Sequence, residues 1–81
     1  MSGFLVVLYY YMETVKRSAI ADNIKRLRDE HALSQRALAE KSDVAYDTLI
    51  KIESGVNTNP TIETIKKIAR TLGVGVDDLI S

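Results

Sequence analysis

The side chains that carry covalent, redox or metal chemistry are almost absent from this chain, which has no cysteine and a single histidine, His31. Disulfides and thiolate metal sites are excluded, and one imidazole cannot assemble a metal site of the usual ligand number. There is no glycine-rich phosphate loop and no acid–base pair placed to form a cleft, so the chain reads as non-enzymatic, without cofactor or metal. What remains is ionic and hydrogen-bonding chemistry. Arg36 can reach an anion such as a phosphate, or pair with Glu40 four residues on. Lys16 and Arg17 can touch phosphate too, although a solvated linker is the commoner role for two adjacent cations.

Eleven basic residues balance eleven acidic ones, which argues against a strongly electropositive, non-specific binder of polyanions. Any such contact must come from local placement. With 81 residues, 46% of them hydrophobic and 27% charged, the chain is an ordinary soluble domain in composition, and it buries only roughly 60% of the surface its unfolded form exposes. Helix packing or a partner chain must supply stability that cysteines do not. Their absence also suits a reducing compartment, so a cytoplasmic location is expected.

Two compositional regimes divide the chain, because every charged side chain lies at Glu13 or later. Residues 4–12, rich in β-branched and aromatic side chains, predict a strand. The run is too short to span a bilayer, which needs about 20 residues, so no membrane association is expected. A signal peptide is disfavoured as well, since no basic residue precedes the run and Glu13 follows it. One face of the strand would carry Phe4, Val6, Leu8 and Tyr10, the other Leu5, Val7, Tyr9 and Tyr11. Both are apolar, so the strand needs a partner: the same arm of a second chain, or the helices. The alternative is an extension upstream of a start at Met12.

From Ser18 the periodicity becomes helical. Ser18 is the N-cap candidate for a helix over residues 19–30, with Ile20, Ile24, Leu27 and Arg28 inward. A second helix follows Ser34, turns Leu38 and Ala39 inward and stops near Lys41. Ser42, Asp43 and Val44 form a short turn before a third helix over residues 45–54, with Leu49 and Ile52 inward and Gly55 as the left-handed residue that ends it. A fourth helix after Asn59, Pro60 and Thr61 carries Ile62, Ile65, Ile68, Ala69 and Leu72 at helical spacing and closes at Gly73. The last, residues 76–80, has Asp77 and Asp78 in its first turn, while Val74, Leu79 and Ile80 can return to the core. The division is residues 1–17, arm and linker, and residues 18–81, an all-α domain of five helices.

Two short helices joined by a turn of three or four residues form a motif whose second helix can project into the major groove of DNA. Spacing alone does not choose between that and a protein-interaction module. The residues Leu33, Ser34, Gln35, Leu38, Ala39, Val44, Ile52, Glu53, Ser54, Gly55, Asn59, Pro60, Ile68, Ala69, Leu72, Gly73 and Val74 do more. Their pattern resembles that of the phage lambda Cro and repressor family, over about residues 20 to 80.

The resemblance implies a compact lambda-repressor-like fold, a symmetric homodimer, an operator of two half-sites in double-stranded DNA, and a third helix that reads it. By that analogy Tyr46 and Asp47 occupy the principal base-reading positions, with Thr48 and Lys51 beside or one turn beyond them. Tyr46 can lay its ring on a thymine methyl or its hydroxyl on a phosphate, Asp47 can accept from cytosine N4, and Lys51 can donate to guanine O6 and N7. Gln35 matches a glutamine that meets a phosphate at a helix start, and Asn57, Thr58 and Asn59 fill a loop that touches the backbone. Arg28 and Glu53 match a structural ion pair. Three positions depart from the pattern: Ala32 stands where Gly or Asn is common, Asp43 at the usual turn Gly, and Ala45 at the usual Ser cap. The implied activity is transcriptional regulation, most simply repression. The alternative is an antitoxin-like or adaptor module with the same fold.

Overall fold

The computed structural model describes residues 2–81, with the side chains of residues 2 and 9–18 outside the description. Five helices follow in chain order: α1 (Ser2–Glu30), α2 (Gln35–Ser42), α3 (Tyr46–Glu53), α4 (Ile62–Leu72) and α5 (Val76–Ile80). Helix α1 packs on α3 and α5, α2 on α3 and α4, and α4 on α5. The apolar stripes meet in one core, where Ile24, Leu38, Leu49, Ile52, Ile68, Leu72 and Leu79 are fully buried. Leu27, Ala39, Val44, Ile65 and Ala69 complete it, with Ile20 and Val74 packed against its edge. Two expected core residues stay outside. Ile62, 58% exposed, opens α4 three residues ahead of the first core contact at Ile65, and Ile80 ends α5 about 100° around the axis from buried Leu79.

The expected N-terminal strand is instead helix, continuous with the body of α1, and Ser18 lies within that helix rather than capping it. Among the described residues there is no strand for such an arm to pair with. A lone strand leaves its N–H and C=O groups unpaired, whereas extending an existing helix satisfies each one four residues away without a new nucleation step. That outweighs a strand preference that spans only about 1 kcal/mol. The alternating face assigned to Phe4, Val6, Leu8 and Tyr10 therefore does not exist. On a helix Phe4 and Leu8 share a side and Val6 lies nearly opposite, all three exposed, Phe4 by 72%. The Tyr10 side chain, like those of Lys16 and Arg17, lies outside the described residues.

The expected Ser34 cap is in place downstream, and Thr61 caps α4 where the sequence reading named no cap. Ser34 Oγ accepts from the Ala37 N–H at 3.0 Å, and Thr61 Oγ1 from the Thr64 N–H at 3.2 Å. Asp78 accepts from the Gly75 N–H at 2.9 Å, closing the start of α5, while Ala45 opens α3 with no side-chain cap. His31 is a helix-end residue, its Nδ1 2.8 Å from the Leu27 carbonyl oxygen. Gly73 ends α4 at φ +70°, but α1 ends through Ala32 at φ +53°. An L-side chain costs about 1–2 kcal/mol there, and glycine gives part of that back through a freer unfolded chain. Ala32→Gly is expected to stabilise the domain by about 0.5–1 kcal/mol. A thermal melt should show the midpoint a few degrees higher; an unmoved midpoint would mean that Ala32 carries no strain.

Candidate nucleic-acid interface

Helix α3 is short and buries one side only. Leu49, Ile52 and Glu53 turn inward, and 100° per residue then places Asp47 and Lys51 at the centre of the opposite face, with Tyr46 and Thr48 at its flanks. Tyr46, Asp47 and Lys51 are exposed and Thr48 is half-buried, as is Ile50, which the sequence reading left out. Asp47 and Lys51 form no ion pair among the described residues. The face thus presents an acceptor, an ammonium donor and an aromatic ring to solvent. These are the group types that read base edges in a major groove wide enough for a helix.

Two sets of contacts hold that face outward. At the inner end of α3, Glu53 is 1% exposed and its carboxylate takes three donors. Arg28 donates from Nε to Oε2 and from a terminal nitrogen to Oε1, both at 3.1 Å, and Gln35 Nε2 donates to Oε1 at 3.1 Å. The other terminal nitrogen of Arg28 donates to the Leu33 carbonyl at 2.9 Å. This network ties the end of α1, the start of α2 and the end of α3 together. At the outer end, Asp43 makes the turn in the left-handed conformation, φ +58°, with its N–H on the last carbonyls of α2. Helix α4 braces it: Lys67 donates to the Asp43 carbonyl at 3.4 Å and sits 3.9 Å from its carboxylate, while Thr71 donates to the Lys41 carbonyl at 3.4 Å. Nothing in the local pattern signals these braces, which join residues 24 and 30 positions apart.

The residues expected on phosphates are distributed differently from one another. Gln35 opens α2, but one amide N–H is given to Glu53, leaving a second N–H and its carbonyl. Arg36 neither pairs with Glu40 nor stands alone. Its guanidinium lies over the Tyr46 ring, 4.3 Å from the centroid, beside a shallow recess of about 420 Å³ lined by Ala39, Glu40, Asp43, Val44 and Ala45. In the loop after α3, the Asn57 N–H donates to the Lys51 carbonyl at 2.8 Å, and Asn57 Oδ1 accepts from the Asn59 N–H at 3.0 Å. Asn57 therefore shapes the loop, and Thr58 and the Asn59 side chain remain exposed on it. Among the described residues no cluster of His, Cys, Asp or Glu could hold a metal, and no helix is long and apolar enough to cross a membrane.

Residues 24–79 match the helix-turn-helix family. The chain is 39% identical over 62 residues to the HTH-type transcriptional regulator SinR of Bacillus licheniformis, covering 76% of this chain and 56% of that protein. It is 36% identical over 58 residues to an uncharacterized HTH-type transcriptional regulator of Methanocaldococcus jannaschii, covering 72% of this chain and 86% of the relative. Among solved structures, that of SinR, the master regulator for biofilm formation, in complex with DNA matches with a TM-score of 0.75 at 39% identity. The match covers 76% of this chain and 98% of that one. This chain spans a little over half the length of the SinR protein it matches.

Proposed function

Because the chain belongs to the helix-turn-helix family, we propose that it binds double-stranded DNA sequence-specifically as a homodimer and regulates transcription in the cytoplasm as a non-catalytic repressor. The observation that carries this reading is the free outer face of α3, where Tyr46, Asp47 and Lys51 stand exposed on a helix clamped at both ends. The expected readings are Asp47 on cytosine N4, Lys51 on guanine O6 and N7, Tyr46 on a thymine methyl, and Thr48 at the rim of the same footprint. Thr58, Asn59 and the spare groups of Gln35 position the domain on phosphates, with residues 18–81 as the binding unit.

Selection from random duplex oligonucleotides tests this directly. A dimer should enrich two inverted half-sites about 34 Å apart, one helical turn, and a protein that enriches no duplex is not a sequence-specific binder. Salt dependence should be shallow, because the loop of residues 54–61 has no Lys or Arg and Lys51 is the lone basic residue of α3. The slope of log K against log salt is expected to be shallower than about −5. A slope near −10 would mean that phosphate neutralisation, not the α3 face, dominates binding.

A further inference from the structure

The stacking of Arg36 on Tyr46 joins the second residue of α2 to the first residue of α3, at the end of α3 that leads into the groove in the proposed complex. Among the described residues the Arg36 guanidinium has this ring as its partner and no hydrogen-bond acceptor or carboxylate within ion-pair distance, Glu40 included. Its N–H donors lie around the rim of a planar group, so a ring against one face leaves them unspent. We infer that Arg36 and Tyr46 act as one reading unit, in which the ring holds the guanidinium for bidentate donation to O6 and N7 of a guanine at the edge of the half-site.

This assignment rests on the proposed DNA binding and deepens it. Two observations favour a base edge over a phosphate. The recess beside the stack is lined in part by Glu40, an acidic residue with no ion pair among the described residues, which disfavours a phosphate entering there more than the neutral edge of a base. The contact to Tyr46 also carries the Arg36 side chain from α2 onto the first residue of the reading helix, rather than leaving it free along α2. A flexible cation that serves only as a counter-charge needs no such support. A bidentate contact does, because two bonds must be aimed at once.

The test uses the duplex that the wild-type protein selects and single base-pair variants of it. Arg36→Ala is expected to lower discrimination at one G·C pair by roughly 5- to 150-fold and to leave the other positions as they were. Tyr46→Ala should weaken preference at that same pair, and the double variant should be no worse there than the worse single variant. Tyr46→Phe, which keeps the ring, should preserve preference at that pair even where overall affinity falls. Arg36→Lys should not restore it, since a point charge lacks the planar fork. Both residues are exposed, so unchanged thermal melts verify that the variants are folded. Restoration by lysine, or a uniform loss on all sequences with a shallower salt slope, would make Arg36 a phosphate contact, and losses from the two alanine variants that add at that pair would mean that the two side chains read independently; each result overturns the assignment alone. A wild-type protein that selects no duplex overturns the DNA-binding reading and this assignment with it.

Discussion

Replacing Arg28 with alanine is expected to destabilise the domain by about 3–5 kcal/mol, lowering its melting midpoint by roughly 15–30 °C. The cause is the partner left behind. Glu53 is 1% exposed and the Arg28 side chain 16%, so the Glu53 carboxylate cannot recover water when its two guanidinium hydrogen bonds are lost. Among the described residues Gln35 would remain as its single side-chain donor, and the Leu33 carbonyl would lose its Arg28 partner as well. A chain of this length has a total stability near roughly 4–12 kcal/mol, so the loss consumes a large part of it. Adding Glu53→Gln to Arg28→Ala replaces the stranded charge with a neutral amide and should return at least about 1 kcal/mol. Helical circular dichroism against temperature measures both variants. A wild-type-like melt for Arg28→Ala would show that water, not the guanidinium, solvates Glu53.

The second large effect is expected in binding and not in folding. Tyr46→Ala with Lys51→Ala removes two of the three exposed groups on the outer face of α3, and base contacts of this kind each contribute about 1–3 kcal/mol. Affinity for the selected duplex should fall by roughly 10²- to 10⁴-fold, while affinity for unrelated duplexes changes little, so that the two converge. Exposed positions away from the core tolerate such changes within about 0.5 kcal/mol, so the melting curve and the sedimentation equilibrium of the variant should match the wild type. Fluorescence anisotropy on both duplexes separates the outcomes. Retained preference for the selected duplex would remove this face of α3 from recognition and leave the footprint to be sought elsewhere on the domain.

The two predictions differ in how far they could be read from the chain. The pairing of Arg28 with Glu53 was expected from the resemblance to the Cro and repressor family, and hydrophobic spacing marked the inward side of each helix from Ile24 onward except at Ile62 and Ile80. Gln35 was expected on a phosphate, and its link to Glu53 was invisible because the two residues lie 18 positions apart and meet only when α2 and α3 close on each other. Arg36 shows the same limit. Local spacing offers it Glu40 four residues on, yet the fold gives it the ring of Tyr46 across the turn.

Hydrophobic spacing and cap residues act within a turn or two, and they were enough to determine α2 to α5, the Ser34 cap and the face of α3 left outside the core. Tertiary structure alone decided what depends on a distant partner. It drew Gln35 toward Glu53, set α4 against the turn, and turned an apolar run with strand-forming residues into the first turns of α1. The reason is common to all three: a hydrogen bond or a strand needs a second party, and which party is in reach is a property of the folded chain and not of the residues beside it.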